Sequence, residues 1–399
     1  MAKLLPLKNV RVLDLSRVLA GPHAAQILGD MGADVIKVEH PTRGDDTRSW
    51  GPPFAAGGES AYYLAANRNK RSIGIDFKQE SGRDLVRRLA AKSDVVIENY
   101  LPGGLAKYGL SYSDLAAENR KLVYASLTGY GQTGPSANRP GYDVMVEAEF
   151  GLMHITGYPY GPPAKVGVAI TDLTAGLYTV ISVLGALRHA DLTGEGQHLD
   201  IALADCQLAS LANIGSSVLV SGKPDSGRQG DAHPSICPYQ SFPTKDGRIM
   251  IGGGNDKLFG LVAKALDRPE WVTDARFATN AQRVAHRDVL VPAISEITAT
   301  RTTKEWEAAW KTAGFPHAPI NDVKTALEHE QTQARNMVQE IDHPHVGPLK
   351  LVDHPVKWSE TQPSIRTAPP LLGEHTNDIL AELGFSESEI AELKENSVV

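Results

Sequence analysis

The sequence predicts an α/β protein with a large parallel-sheet domain and a smaller inserted domain. Three observations carry this. Short apolar runs alternate with helical spacings through the first half, as βαβ units do. A polar, glycine-rich stretch, SGKPDSGRQGDAHP (221–234), breaks the chain near its middle, and the pattern changes beyond it. At 399 residues the chain is long enough for two ordinary domains.

The elements follow in order. VRVLDL (10–15) is a short apolar strand, and GPHAAQILGDMG (21–32) has helical spacing that stops on Gly32. DVIKVE (34–39) and SIGIDF (72–77) are strands, QESGRDLVRRLAAK (79–92) is a helix, and DVVIEN (94–99) and LVYASL (122–127) are strands. A long helix is expected at about 173–190, then HLDIAL (198–203) as a strand and a helix to about 220. Past the polar stretch, GRIMIGGG (247–254) reads as a strand running into a turn. Helices are expected near 255–266 and 280–298, and TTKEWEAAWKTAG (302–314) has the look of a capping box, with a Thr cap and Glu305. Short strands around 337–358 and two helices near 374–383 and 386–395 complete the chain.

Composition removes several function classes. Hydrophobic content is 42%, charged content 22% and net charge −7, ordinary for a globular protein and wrong for a dedicated nucleic-acid binder. No apolar run reads as a membrane span, and no signal peptide or arginine-rich presequence precedes the first strand, so the expected location is cytoplasmic, or the mitochondrial matrix in a eukaryote. Cys206 and Cys237 form no CxxC, and the histidines are scattered, with His343 and His345 in a Pro/Gly-rich loop; no metal is expected.

The stretch LTGYGQTGP (127–135) satisfies G-x-G-x-x-G at Gly129, Gly131 and Gly134. A dinucleotide turn would need a helix to open next, to hold the pyrophosphate. PSANRPGYD follows instead, and its prolines argue for a loop. There is no Walker A sequence and no G-x-S-x-G elbow. The most suggestive acid is Asp172, flanked by apolar residues where a helix starts. It is either that helix's N-cap or a carboxylate held ionised by helix amides in an apolar pocket, which is a competent nucleophile. Trp50, Arg68, Tyr142 and Asp143 are further candidates.

LDLSRVLAGP (13–22), GADVIKVEHPTRGDDTRSWGPPF (32–54), NRNKRSI (67–73), VIENYLPGGLAKYGL (96–110), SLTGYGQTGP (126–135), GYD (141–143), AITDLTAGLY (169–178) and APPLLGEHTNDIL (368–380) resemble the family III CoA-transferases, in order and over essentially the whole chain. The resemblance implies a Rossmann-like large domain (1–200 and 330–399), a linker helix and loop (201–228) and a small domain (229–329). It also implies an interlocked homodimer with active sites at the subunit interface. Coenzyme A and acyl-CoA enter as substrates, and no cofactor is bound permanently. Asp172 matches the family's catalytic aspartate, which attacks the donor thioester, forms a mixed anhydride and becomes an aspartyl-CoA thioester. The thioester bond energy is conserved, which agrees with the missing ATP motif. Residues matching the family's CoA contacts are Val18, Leu19, His40, Ile75, Lys78, Asn99, Tyr100, Leu101, Lys107 and Tyr142. His40 and Lys107 stand where the formyl-CoA branch carries arginines, and lysine lacks the bidentate fork. GYGQTG then resembles a loop of the acyl-CoA site. Gly252, Gly253 and Gly254 are either a place where backbone approaches the substrate or an ordinary strand-end turn.

The resemblance also separates branches. Racemases of this fold carry G-H-D where this chain has Gly141-Tyr142-Asp143, and tyrosine is a poor base near neutral pH. The oxalate branch has a run of four glycines where this chain has GRQGDAHPSICPYQ (227–240). That segment, with NRNK upstream, resembles the branch that exchanges CoA between succinyl-CoA and glutarate. A dicarboxylate keeps one free carboxylate after esterification. Arg68 is expected to meet it with a matching fork, with pairing to a nearby acid as the alternative, and His233 to hydrogen-bond it. Trp50, Tyr62 and Asp143 are expected on the same acid side. Alternatives are a transferase for itaconate, a hydroxy acid or a branched acid, a racemase, and a non-catalytic acyl-CoA binder.

Overall fold

The computed structural model describes residues 4–399. The chain divides into two compact units. The first holds the chain up to Leu152, Val166–Ser216 and Glu330–Val399; the second holds Met153–Lys165 and Ser217–His329.

The first unit is built on six parallel strands: β1 (Arg11–Asp14), β2 (Asp34–Glu39), β3 (Lys70–Gly74), β4 (Val95–Glu98), β5 (Val123–Thr128) and β6 (Gln197–Ala202). Their order, β3-β2-β1-β4-β5-β6, is that of a doubly wound nucleotide-binding sheet. Alternate residues serve opposite faces. Val12, Val95, Ile97, Val123 and Ala125 pack with Ala24, Leu28, Val180 and Val183 on one side. Leu13, Val96 and Tyr124 pack with Leu85, Leu89, Ile379 and Leu380 on the other.

The helices of this unit are α1 (Ala20–Asp30), α2 (Ala61–Ala65), α3 (Glu80–Ala91), α4 (Tyr112–Ala116), α5 (Asp143–Glu149), α7 (Ile170–Thr193) and α8 (Leu203–Ser210), while all but the first residue of α6 (Leu152–Ile155) falls in the second unit and α9 (Ala212–Ser221) spans the boundary at Ser216. Gly32 ends the first helical segment at φ +110°, as its position suggested. α7 has 24 residues and is long and apolar enough to cross a membrane, which departs from the sequence expectation. It packs against α1, β5 and β6, so its apolar side serves the core of the sheet. The hairpin β10 (Val338–His343) and β11 (Gly347–Val352) and the C-terminal helices Thr376–Glu382 and Glu387–Glu395 also belong here.

The second unit has the antiparallel strands β7 (Tyr239–Pro243), β8 (Arg248–Gly252) and β9 (His317–Pro319). Its core includes Phe242, Ile251, Phe259, Trp306 and Trp310. The Thr302–Glu305 capping box is present. The unit boundaries differ from the expected ones. α8, expected in a linker, packs on α7, and residues 153–165 leave the large unit for the small one. The polarity of 221–234 marks a loop, and it does not show on which side of that loop a preceding helix packs.

Candidate functional site

In an open parallel sheet, ligands sit beyond the carboxyl ends of the strands where the strand order reverses. Here that place is between β1 and β4. A cavity of about 590 Å³ opens there, lined from the turns that leave β1, β2, β3, β4 and β5. A turn after β1 is where a dinucleotide binder would carry its glycines. This chain carries Ser16-Arg17-Val18-Leu19.

That turn is pinned by buried charge. Val18 has φ +72°, which is a genuine outlier for a β-branched residue and marks a backbone held by its surroundings. The Asp45 carboxylate accepts from the Val18 amide at 3.2 Å. Lys37 Nζ donates to Asp45 (2.9 Å) and to the Ser16 carbonyl (2.9 Å). The Asn99 side chain accepts from the Arg17 amide and donates to its carbonyl. Burial works to raise the Asp45 carboxyl, but Lys37 and the Thr47 amide outweigh it and hold it at about 2. Polar groups already satisfied this way leave the turn rigid.

All ten residues expected to contact CoA, from Val18 to Tyr142, line this cavity together with Asp172. Lys78 and Lys107 are exposed and His40 is half-buried. Burial, then Arg43 nearby, lowers the His40 imidazole, so it stays neutral more readily. The sequence reading missed Arg17 and Arg43, which also line the cavity and stand exposed. Both lie inside motifs already singled out. The usable signal was a basic residue in a turn at a strand's carboxyl end. Arg17 is partly engaged by Asp46 at 3.1 Å.

The loop after β5 brings Gly129, Gly141 and Tyr142 to the same cavity. A Cβ on Gly129 would come within 2.7 Å of the Gly141 Cα, so the two glycines let the loop close on itself. No helix opens before Asp143, as the prolines required, and the glycine pattern is a loop.

Asp172 is the third residue of α7, and Ala169 holds the N-cap position without any side-chain hydrogen bond. The expectation that Asp172 is either the cap or a carboxylate steadied by helix amides therefore needs correcting. Asp143 Oδ1 accepts from the amides of Thr171 (2.7 Å) and Asp172 (3.0 Å). The Asp172 carboxylate accepts no hydrogen bond among the described residues. Burial, and then the Asp143 charge, push its carboxyl up to about 7.

The acid-side residues scatter. Tyr62 on α2 is raised by burial and then by Asp172 and Asp143, which places its phenol in the field of both carboxylates. Trp50 packs edge-on against Tyr62, with centroids 5.1 Å apart. Asp143 is committed to capping α7 and does not line the cavity. Arg68 does not line it either: it is buried and forked onto Asp30 through Nε (3.0 Å) and Nη2 (2.7 Å). Its fork is spent on an acid of its own chain, the alternative raised above. His233 belongs to the second unit, where its ring meets Tyr239 edge-on at 5.6 Å. In that unit the Gly252 and Gly253 amides donate to the Pro316 and Pro238 carbonyls, as in a strand-end turn. Among the described residues no group of His, Cys, Asp and Glu could hold a metal.

A family profile described as CoA-transferase family III matches residues 7–376. The chain is 44% identical to the human succinyl-CoA:glutarate CoA-transferase over 395 residues, covering 99% of this chain and 90% of that protein. It is 46% identical to the succinate–glutarate CoA-transferase of Agrobacterium fabrum over 383 residues, covering 95% and 96%. The crystal structure of a CAIB/BAIF family protein from Brucella suis superimposes with a TM-score of 0.86 at 46% identity, covering 95% and 99%. With a profile match over nearly its whole length and a nucleotide-type sheet to carry it, the chain is a member of CoA-transferase family III and an enzyme.

Proposed function

We propose that this enzyme moves CoA from succinyl-CoA to a dicarboxylic acid such as glutarate, with Asp172 as the covalent nucleophile. The observation that carries this reading is Asp172 itself, a carboxylate without hydrogen-bond partners among the described residues, on the wall of a cavity rimmed by cations. The Asp172 oxygen attacks the thioester carbon, and the C–S bond breaks to release CoA thiolate and leave a mixed anhydride. The thiolate attacks the aspartyl carbonyl, expelling the donor carboxylate and leaving an aspartyl-CoA thioester. The acceptor carboxylate then runs both steps in reverse. The adenine and phosphates lie along the Val18 turn, Tyr100 and the Arg43–Lys78–Lys107 rim. Tyr62 is the proposed donor to the acceptor's free carboxylate, with Trp50 backing it. The choice of succinyl-CoA and glutarate rests on the relatives' activities.

The test is an acid panel of glutarate, itaconate, adipate, oxalate, malate and a branched monoacid, each with succinyl-CoA, read by mass spectrometry of the CoA esters. Glutaryl-CoA as the main product supports the reading; no ester from any acid removes it.

The nucleophile must be ionised to attack. With Asp172 pushed up to about 7, kcat/KM is expected to fall as pH drops through about 7, because the acid limb reports the free enzyme's pKa. A limb near pH 4 would mean that burial does not raise Asp172. Replacing both Arg43 and Lys78 with alanine should raise KM for acyl-CoA about tenfold, at roughly 0.5–1 kcal/mol for each exposed contact. Added salt should shrink the difference. An unchanged KM at low salt would take the phosphates off this rim.

A homodimer is part of the proposal. Leu177, Tyr178 and Ile181 on α7 are exposed at 50%, 42% and 64%, an apolar stripe that a partner would cover. Light scattering that gives a monomer mass would remove it.

A further inference from the structure

We propose that Asp143 is the positioning residue of the nucleophile: its carboxylate caps α7 where the N-cap residue Ala169 cannot, which keeps the Asp172 carboxylate off the Thr171 and Asp172 amides and free to attack. The inference rests on the reading of Asp172 as nucleophile.

The first four amides of a helix have no partner within it and must find one elsewhere. In α7 the three amides of the first turn are accounted for. The Ile170 amide donates to the Val168 carbonyl (2.9 Å), and the Leu173 amide makes the first intrahelical bond, to the carbonyl of the N-cap Ala169 (3.1 Å). The Thr171 and Asp172 amides both donate to Asp143 Oδ1. An acidic side chain at the third helical position ordinarily turns back onto the helix start, as the acid of a capping box does. Asp143, the first residue of α5 and 29 positions earlier in the chain, instead takes the Thr171 and Asp172 amides that an N-cap side chain would hold, which Ala169 cannot do. Thr171 Oγ1 donates to Gln207 Oε1 on α8 at 2.6 Å, which fixes the same turn from a second side. Tyr142, next to Asp143, lines the cavity, so the residue that caps α7 also sets where the Tyr142 loop ends.

Two chemical consequences follow. A carboxylate stripped of hydrogen bonds is a stronger nucleophile than one steadied by amides, because nothing must be broken before it attacks. The anhydride and thioester formed on Asp172 are neutral, so an anion beside them favours the covalent states over the free carboxylate. The titratable groups whose fields reach Asp172 are Asp143 from α5 and the Tyr62 phenol from α2. Asp143 is the charged one. Burial is the larger cause of the raised Asp172 carboxyl and Asp143 the second.

The test compares Asp143→Ala and Asp143→Asn with the wild-type chain and with Asp172→Ala. The measurements are single-turnover formation of the covalent CoA adduct from succinyl-CoA, steady-state constants, and the pH profile. Asparagine caps as well as aspartate but carries no charge. Asp143→Asn should keep the wild-type melting temperature while its acid limb moves to lower pH, towards the ordinary carboxylate range. Asp143→Ala should lose about 100-fold in adduct formation and kcat, the scale expected when a reacting group is misplaced, with KM for acyl-CoA within about twofold of wild type. Asparagine should recover part of that loss. The proposal is overturned if the alanine variant forms the adduct at the wild-type rate, if the asparagine variant is itself about 100-fold slow, or if the loss falls in KM, which would make Asp143 a substrate contact. If the alanine variant does not fold, the asparagine variant carries the decision. A turning-over Asp172→Ala enzyme would instead overturn the nucleophile itself, whatever Asp143 does.

Discussion

Asp172→Ala is expected to abolish transfer while leaving the protein at least as stable as before. Loss of a covalent nucleophile removes the whole two-stage route, so the fall should be on the order of 10⁴-fold or more. The stability side follows from the same geometry. The Asp172 carboxylate accepts no hydrogen bond among the described residues, so truncation leaves no partner unsatisfied. Burial and the Asp143 charge raise its carboxyl from 3.8 to about 7. The folded chain therefore holds this proton to higher pH than the unfolded chain does, and folding loses stability as pH rises through that interval. The variant should melt above wild type at pH 8, and the difference should narrow as pH falls towards the ordinary carboxylate value. Intact-protein mass spectrometry after mixing with succinyl-CoA reads the other half: a CoA-sized adduct on wild type, none on the variant. Turnover within tenfold of wild type would move the nucleophile elsewhere. A marked drop in melting temperature would mean that Asp172 is structural.

What the sequence could reveal was local. The strands of the large unit were legible because they are apolar on both faces and are spaced by segments of helical period. The Thr302 cap was legible because its partner lies three residues away. The cavity-lining residues were legible only through resemblance, since Lys78 or Asn99 alone reads as an ordinary surface residue. The short helices α2, α4 and α5 span five to seven residues, too few turns for a period to show. Most of what was misread depends on pairs distant in the chain. A sequence window shows Asp172 at a helix start and cannot show that Asp143 already holds its amides. It shows Arg43 beside two aspartates and not that the turn after β2 faces a cavity. The Rossmann order of the sheet with no glycine fingerprint after β1 is the same lesson at larger scale: strand order is a product of pairing, and the phosphate-binding turn was replaced by Val18 held on Asp45.

Arg68→Ala is expected to unfold the protein more than it harms acid binding, the reverse of what a substrate-binding arginine would do. Arg68 is 6% exposed and Asp30 1%. Beyond the fork onto Asp30, Arg68 Nη1 donates to the Val352 carbonyl at 2.8 Å, and its amide donates to Gln26 Oε1 at 3.1 Å. The guanidinium thus ties the end of α1 and β11 to the segment after α2, while the amide bond to Gln26 would survive the truncation. Without it Asp30 keeps Asn69 Nδ2, at 2.7 Å, as its side-chain donor. Asn69 is neutral, so the buried carboxylate loses its ion-pair partner and keeps only the field of Arg366, which donates to the Asp30 carbonyl. Removing one partner of such a pair costs about 3–5 kcal/mol. Lysine should not rescue it, because an ammonium cannot make the two parallel bonds and reach Val352 as well. Denaturant titration should show the midpoint fall at unchanged slope, while KM for the acceptor acid in the folded fraction stays within about twofold of wild type. If instead KM for the acid rises strongly and the midpoint does not move, the fork must open towards substrate during turnover, and Asp30 would be its resting partner.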